Sequence, residues 1–277
     1  MEGRVLIVAG SDSGGGAGIQ ADIKAVTALG GFAMTAVTAL TAQNTEGVHG
    51  IHGVETGFIN QQIRVVLDDI GADCIKTGML HSVEVIETVR DTLDEAGPGI
   101  PLVADPVMVA KGGARLLDTD ANTALVSVLV PRATVLTPNA PEAAALTGVD
   151  VEDEAGQQRA GEKLLELGAK AVLVKGGHVA GPEVVDLLVT PEETFRFADP
   201  RIETRHTHGT GCTLASSIAA GIAQKMALPE AVARARAYVR QAMSDVVNGP
   251  GTAGRARLPI EDVKMAGKTG TAQVVSL

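Results

Sequence analysis

Short apolar runs alternate with segments of helical periodicity along most of the chain. Apolar residues spaced three and four apart predict amphipathic helices, whereas short uninterrupted apolar runs predict buried strands. Two late runs flank a turn-like Thr-Pro-Glu-Glu segment and predict an antiparallel hairpin. The predicted strands cover residues 5–9, 32–39, 74–76, 101–104, 134–136, 171–174, 184–189 and 194–197, and the predicted helices cover 17–29, 57–70, 83–93, 212–224 and 229–247.

The alternation of strand and helix predicts an α/β fold, with a mostly parallel central sheet, helices on both faces and a small antiparallel hairpin. No internal repeat divides the chain, so we expect a single domain over residues 1–250 and a C-terminal extension over 251–277. Ligands bind beyond the carboxyl ends of the strands in such sheets. Polar segments follow the apolar runs at these points, at 10–12, 43–44, 78–79, 105–106, 139–142 and 175–177.

The segment 207–213, with the sequence Thr-His-Gly-Thr-Gly-Cys-Thr, leads into a predicted helix that is rich in small apolar residues. The start of a buried helix offers backbone N–H groups and the positive end of the helix dipole, which together bind anions such as phosphate. Cys212 would face the group that carries or receives the phosphate. A glycine-rich turn with a small buried residue explains this segment equally well when it is taken alone.

A second glycine-rich loop, at 9–18, follows the first predicted strand. It has Ile19 where a dinucleotide-binding loop needs its third glycine, and the chain has no GxxxxGK[ST] phosphate loop. The glycines can let backbone amides reach a small ligand, with Asp22 on the first turn of the next helix. Asp12 or Ser13 can equally serve as the cap of that helix.

Asn139 and Glu142 lie three residues apart at a predicted helix start, where they face the same side. The pair can hold a hydrated Mg²⁺ beside phosphates, or it can form a capping box, which the spacing alone favours. Lys175 ends a buried strand before two glycines and can reach a phosphate or extend to solvent. The glycine-rich segment 109–114 is either a mobile flap or a surface loop.

Composition narrows the possible partners. The 277 residues carry a net charge of −10, which argues against nucleic acid and anionic membrane surfaces as partners. No apolar run is long enough to span a membrane. Two cysteines without metal-ligand spacing fit a reducing compartment, so we expect a cytoplasmic protein. Aromatic residues make up only 2% of the chain, so the core must consist of Val, Leu, Ile and Ala.

Seven segments in this order resemble the hydroxymethylpyrimidine and hydroxymethylpyrimidine-phosphate kinases of thiamine biosynthesis, within the ribokinase-like superfamily. The resemblance extends over residues 4–247. The order of all seven is far more specific than any one of them. They are the segments 9–22, 38–45, 76–80, 105–111, 137–143, 175–178 and 207–213.

The resemblance implies a ribokinase-like fold and a set of roles for residues of this chain. The amide of Gln43 offers both a donor and an acceptor to an aminopyrimidine edge. Cys212 would accept the proton of the substrate hydroxymethyl group, helped by a pKa lowered at the helix N-terminus. The implied sites are Gly10, Asp22, Gln43, Met79 and Val107 for the substrate, Lys175, Asp105, Thr137 and His208 for ATP, Asn139 and Glu142 for Mg²⁺, and Gly209, Thr210, Gly211 and Cys212 for catalysis.

The implied activity is ATP-dependent phosphorylation of 4-amino-5-hydroxymethyl-2-methylpyrimidine to its monophosphate and then its diphosphate, by a homodimer. A pyridoxal or pyridoxine kinase of vitamin B6 salvage is the alternative on the same scaffold, and a non-catalytic binder of vitamin precursors is a third possibility. The tail departs from the family. Its Lys268-Thr269-Gly270 resembles a transpeptidase motif, but the SxxK serine which that chemistry needs is missing.

Overall fold

The computed structural model describes residues 2–44, 46–108, 121–202 and 207–248, with the side chains of 245–248 left out. Its strands are β1 Arg4–Asp12, β2 Phe32–Gln43, β3 Val48–Gly53, β4 Cys74–Thr77, β5 Leu102–Ala104, β6 Val135–Leu136, β7 Val172–Val174, β8 Glu183–Val189 and β9 Thr194–Pro200. Its helices are α1 Gly18–Ala28, α2 Thr56–Asp69, α3 Val83–Ala96, α4 Ala121–Ala124, α5 Ala140–Thr147, α6 Glu154–Glu166, α7 Thr210–Ala223 and α8 Leu228–Asn248.

The strands form a single sheet in the order β3-β2-β1-β4-β5-β6-β7-β8-β9. Six neighbouring strands pair in parallel, in the order β2, β1, β4, β5, β6 and β7. Strand β3 at one edge and the β8–β9 hairpin at the other edge are antiparallel. The parallel strands all end at the same edge, which faces the loops that carry the predicted site. The predicted α/β architecture and its hairpin are confirmed.

Side chains on successive residues of β1 enter two different cores. Leu6 and Val8 pack into the core under α2, α3 and α6, whereas Val5 and Ile7 pack into the core under α7 and α8. This alternation is the period of a strand whose two faces are both covered. The first glycine loop and the start of α7 thus belong to elements that share one core.

The sequence pattern misses strand β3 and helices α4 and α6, and it indicates only the start of α5. Strand β3 is exposed along most of its length and contains two glycines and two histidines, so it shows no apolar alternation. Helix α6 is charged on its outer face, and buries Ala160 and Leu164 on the other. Strand β2 continues four residues past the predicted end, because polar Thr41 and Gln43 pair with β3.

Several predicted features lie outside the described residues. They are the glycine-rich segment 109–114, the extension 251–277 with its Lys268-Thr269-Gly270, and the domain boundary at 250. In the described part of the chain, no helix is both long and apolar enough to cross a membrane.

The contact between α7 and α8 gives a stability prediction. A Cβ on Gly221 would lie 2.7 Å from the Cβ of Ala231 and 3.2 Å from its Cα, which is backbone and cannot move aside cheaply. Gly221→Ala should therefore lower the free energy of unfolding by about 1–3 kcal/mol through overpacking. Urea denaturation measures this change.

Gly57 on α2 is the matched control, because a Cβ there meets nothing within 4 Å. Gly57→Ala should leave stability unchanged or raise it by about 0.5 kcal/mol, since alanine loses less backbone entropy than glycine. Equal urea midpoints for the two variants would show that α7 and α8 do not pack as described.

Candidate active site

A cavity of about 710 Å³ opens at the carboxyl ends of the parallel strands. A smaller cavity of about 280 Å³ adjoins it and shares Lys175 and Gly211. Of the predicted site residues, only Asp22 and Thr137 do not line the larger cavity. Those that line it are Gly10, Gln43, Met79, Asp105, Val107, Asn139, Glu142, Lys175, His208, Gly209, Thr210, Gly211 and Cys212.

The two glycine turns pack directly against each other at one wall of this cavity. Gly209 caps α7 with a φ of +74°, and a Cβ on it would lie 1.7 Å from the carbonyl oxygen of Gly16. Both the left-handed backbone and the contact therefore require glycine at this position. The close approach places the first turn of α7 beside the loop that follows β1.

Asp12 holds the two turns together. Its carboxylate accepts hydrogen bonds from the backbone amides of Gly14, Gly16 and Ala17, and its Oδ2 lies 3.0 Å from Nε2 of His208. Burial opposes the charge of Asp12, but the bonds from His208 and the amides outweigh it and lower the pKa of the carboxyl. Asp12 thus organises the loop, and His208 anchors the start of α7. Neither Asp12 nor Ser13 caps α1, as the sequence allowed, because the N-cap of that helix is Ala17 and no side chain caps it.

The first turn of α7 and Lys175 form an anion site. The amides of Gly211 and Cys212 lie in the first helical turn, where N–H groups have no acceptor within the helix. Lys175 Nζ lies 3.5 Å from the position of a Cβ on Gly211. A positive helix end beside an ammonium group is suited to bind phosphate oxygens.

Cys212 does not have the lowered pKa expected of a thiol at a helix start. Burial raises the pKa of the thiol to about 11, and the charges of Asp22 and Asp105 act in the same direction. The nearby cation of Lys76 and a hydrogen bond from the Gly18 amide only partly oppose this shift. The expectation from the helix dipole is wrong because it leaves out desolvation.

Asp22 does not reach the cavity where the substrate was expected. It is fully buried, its Oδ2 lies 2.9 Å from Lys76 Nζ, and its Oδ1 accepts a hydrogen bond of 2.7 Å from Ser216 Oγ. Lys76, not Asp22, contributes to the cavity wall. The sequence did carry a signal for this, because the predicted strand 74–76 has Lys76 directly after two apolar residues.

Thr137 likewise lies behind the cavity. Its hydroxyl donates a hydrogen bond of 3.0 Å to Oδ1 of Asp105, whose same oxygen lies 3.1 Å from Lys175 Nζ. Burial alone would lower the pKa of Lys175, but Asp105 and Glu142 outweigh it and raise that pKa. Thr137 therefore orients Asp105, and Asp105 holds the ammonium of Lys175 at the cavity wall.

Asn139 and Glu142 form the capping box that their spacing favoured. The Asn139 side chain accepts from the Glu142 amide at 2.9 Å, and Glu142 Oε2 accepts from the Asn139 amide at 2.8 Å. Both also line the cavity. Burial raises the pKa of Glu142 to about 7, with the charge of Lys175 opposing that shift and the charge of Asp105 adding to it.

The donor set around Glu142 suits a cation that keeps most of its own ligands. In the part of the chain that the structure describes, no group of three or more His, Cys, Asp or Glu side chains is placed to hold a metal ion. One carboxylate and one amide oxygen fit Mg²⁺, which retains waters and binds substrate phosphates. A cation would also keep Glu142 ionised despite its burial.

The other end of the cavity is apolar and narrow. Met79 packs against Ala39 and Val107, and a Cβ on Gly10 would lie 3.2 Å from the sulfur of Met79. The Gln43 side chain points its Oε1 at the Thr41 hydroxyl at 3.1 Å, within the same wall. We call this end of the cavity the slot, and its apolar side chains and its amide are suited to a flat ring with a polar edge.

The chain is similar to known proteins in both sequence and fold. The chain is 50% identical to a hydroxymethylpyrimidine/phosphomethylpyrimidine kinase of Streptomyces coelicolor, over 87% of this chain and 88% of that protein. It is 51% identical to the thiamine biosynthesis bifunctional protein ThiED of Geobacter sulfurreducens, over 87% of this chain. The matched region spans only 49% of that second, longer relative.

Solved structures are also similar to this chain in fold and in sequence. The phosphomethylpyrimidine kinase of Clostridium difficile 630 superposes with a TM-score of 0.77 at 40% identity, covering 86% of this chain and 98% of that one. An ADP complex of Bacillus subtilis pyridoxal kinase superposes with a TM-score of 0.82 at 33% identity, covering 96% and 97%. The family model for phosphomethylpyrimidine kinase matches residues 12–256. The chain belongs to the phosphomethylpyrimidine kinase family.

Proposed function

We propose that this kinase transfers the γ-phosphoryl group of ATP to 4-amino-5-hydroxymethyl-2-methylpyrimidine and then phosphorylates the monophosphate to the diphosphate. The observation that carries the proposal is one cavity in which a ring-sized slot meets an anion site. Gln43 and Met79 lie at the slot, and Lys175, Gly211 and Cys212 lie at the anion site. The relatives named above as kinases of this pyrimidine support the choice of substrate.

The reaction is an in-line displacement. The hydroxymethyl oxygen bonds to the γ-phosphorus, the bond from that phosphorus to the β–γ bridging oxygen breaks, and ADP leaves with that oxygen. Cys212 in its thiolate form accepts the hydroxyl proton. The amides of Gly211 and Cys212, together with Lys175, hold the negative charge on the transferred group. The second step needs no proton acceptor, because its nucleophile is a phosphate oxygen that is already anionic.

We assign the nucleotide to the smaller cavity, so that its γ-phosphate reaches the shared wall at Lys175 and Gly211. Asp186 supports this wall, since its Oδ1 accepts from the Gly176 amide at 2.8 Å while its other oxygen pairs with Arg236. Bound Mg²⁺ would neutralise phosphate charge, and Glu142 with Asn139 would hold it through the site described above. The pairing of Asp105 with Lys175 keeps the ammonium directed at the phosphates.

Pyridoxal kinase is the second candidate, because the Bacillus subtilis enzyme superposes over nearly the whole of both chains. One assay with two substrates separates the candidates. The protein is incubated with MgATP and either the pyrimidine or pyridoxal, and mass spectrometry identifies the products. The incubation with the pyrimidine should give its mono- and diphosphate. Phosphorylation of pyridoxal alone would transfer the assignment to vitamin B6 salvage, and no product with folded protein would favour a non-catalytic binder.

We also propose that the protein is a cytoplasmic homodimer. Both cysteines are free thiols, which fits a reducing compartment. Strand β3 leaves one edge of the sheet unpaired among the described residues, and the β2–β3 pair exposes Leu40 by 51% and Ile51 by 42%. Exposed apolar side chains at an open sheet edge suit association with a second copy.

The homodimer predicts a mass in solution of twice the 28.3 kDa of one chain. Light scattering after gel filtration measures that mass. Charges at the exposed positions, in the variant Leu40→Glu with Ile51→Glu, should shift the protein to the monomer mass. A wild-type monomer at micromolar concentration, or a double variant that remains dimeric, would contradict this interface.

Cys212→Ala should slow the first phosphorylation by about 100-fold and leave the rate of the second nearly unchanged. The reason is that only the first step removes a proton from a hydroxyl group. Single-turnover measurements with the pyrimidine and with its monophosphate give the two rates. Cys74→Ala is the matched control, since Cys74 is fully buried in the core away from the cavity and should affect both steps equally. Equal losses in both steps for Cys212→Ala would exclude the thiol as proton acceptor.

The pKa of Glu142 predicts how the Mg²⁺ concentration that the enzyme needs varies with pH. Its pKa of about 7 is raised by burial, so the carboxyl takes up a proton as the pH falls through 7, and protons then compete with Mg²⁺. The Mg²⁺ concentration for half-maximal rate should rise as the pH falls from 8 to 6, by about tenfold. Glu142→Gln should need more Mg²⁺ at every pH and lose this pH dependence. A pH dependence that persists in Glu142→Gln would assign it to another group.

A further inference from the structure

A buried chain of three polar side chains lies beneath the cavity and has no part in the reaction described so far. Lys76 Nζ lies 2.9 Å from Asp22 Oδ2, and both side chains are completely buried. Ser216 Oγ donates a hydrogen bond of 2.7 Å to the other oxygen of Asp22. The three groups come from β4, α1 and α7, so the chain of side chains joins the sheet to two helices of one layer.

This chain reaches the reactive end of α7. Ser216 lies four residues after Cys212, so both occupy the same face of the helix. Lys76 and Cys212 both contribute to the cavity wall. A Cβ on Gly78 would lie 2.9 Å from Lys76 Nζ, which places the ammonium group against the strand end that opens into the cavity.

The fold alone gives no reason for an ion pair at this position. Taking two charges out of water carries a large desolvation cost, and apolar residues of similar volume often replace such pairs without loss of stability. The neighbours of Lys76 on either side in the sheet are apolar, since it pairs with Ile7 of β1 and Val103 of β5. A cation kept here at that cost points to a function for its charge.

We propose that Lys76 is the cation that stabilises the thiolate of Cys212, and that Asp22 is a positioning residue which holds Lys76 and limits how much of its charge the sulfur experiences. Ser216 fixes the Asp22 carboxylate in place. The proposal rests on the proposed role of Cys212 as proton acceptor. It replaces substrate contact, the role expected of Asp22, with control of that acceptor.

Four charged groups act on the thiol from the surrounding elements. Lys76 on β4 and Lys175 after β7 favour the thiolate, whereas Asp22 on α1 and Asp105 after β5 oppose it. Lys76 is the strongest of the groups that favour the thiolate, and only burial has a larger effect on the thiol pKa. Neutralising Lys76 and neutralising Asp22 should therefore shift the reactivity of the sulfur in opposite directions.

Alkylation of the folded enzyme by iodoacetamide tests this directly, because only the thiolate reacts. Peptide mass spectrometry separates the Cys212 peptide from the Cys74 peptide. At neutral and mildly alkaline pH, Lys76→Met should slow alkylation of Cys212 by about tenfold, the change in thiolate for one pKa unit. Asp22→Asn should accelerate it by a similar factor, since the cation then acts unopposed.

The double variant Asp22→Asn with Lys76→Met leaves no unpaired buried charge, so it tests the proposal even where Lys76→Met fails to fold. Its Cys212 should react more slowly than that of Asp22→Asn, because the two proteins differ only in the cation. Asp73→Asn is the matched control, since it neutralises a carboxylate that pairs with Arg4 before the start of β4, away from both cavities, and should leave the alkylation rate of Cys212 unchanged.

Acceleration in both single variants would indicate loosened packing and overturn the proposal, as would equal rates in Asp22→Asn and the double variant. The assay needs no turnover, so it is independent of the proposed function. Failure of the wild type to phosphorylate the pyrimidine would overturn the proposed substrate and leave the alkylation result standing. Normal phosphorylation with unaltered alkylation would overturn the role of Lys76 alone.

Discussion

The arrangement of the site depends on one buried carboxylate, that of Asp12. Asp12 ends β1 and accepts hydrogen bonds from three amides of the loop that follows. It also lies within hydrogen-bond distance of His208, which comes just before α7. Residues almost 200 positions apart are thereby fixed within hydrogen-bond distance. The contact of Gly209 with Gly16 depends on these hydrogen bonds, and the amides of α7 face the cavity because of them. The chain thus builds its anion site from backbone that a side chain holds in place.

Charges of both signs alternate around this anion site. Lys76 pairs with Asp22 and interacts electrostatically with Cys212, and Lys175 is held by Asp105 with Glu142 nearby. A protein with a net charge of −10 therefore keeps one buried and one largely buried cation at the wall of the cavity. Each cation has a carboxylate partner, which makes its burial tolerable in the absence of substrate. The same partners set how strongly each cation acts on a group in the cavity.

The sequence was sufficient for a mostly parallel sheet with an antiparallel hairpin, and for the edge at which the site lies. Strand β7 is apolar throughout, β1 contains an apolar run over residues 5–9, and polar segments follow both runs, so periodicity and the rule for parallel sheets locate them. The capping box of Asn139 and Glu142 was also predictable, because it depends on spacing alone. Strand β3 was not, since its exposed residues have no apolar pattern and its pairing with β2 is tertiary.

The residues whose surroundings differ from those expected share one physical cause, which is that burial cannot be read from a motif. Asp22 and Thr137 lie in segments typical of the family, yet the structure places both behind the cavity and gives each a partner that faces it. Cys212 lies at a helix start as predicted, but desolvation outweighs the helix dipole and raises its pKa. Depth in the fold depends on contacts between distant segments, so the sign of such effects requires the structure.

We propose that a single cavity brings the pyrimidine hydroxymethyl group, the γ-phosphate and the Cys212 thiol together. A crystal structure with the pyrimidine and a non-hydrolysable ATP analogue tests it most directly. We expect the pyrimidine ring to lie between Met79 and Val107, with its hydroxymethyl oxygen within hydrogen-bond distance of Cys212 Sγ. The γ-phosphate should lie on the amides of Gly211 and Cys212. A ring bound in the smaller cavity, or a γ-phosphate away from the start of α7, would contradict it.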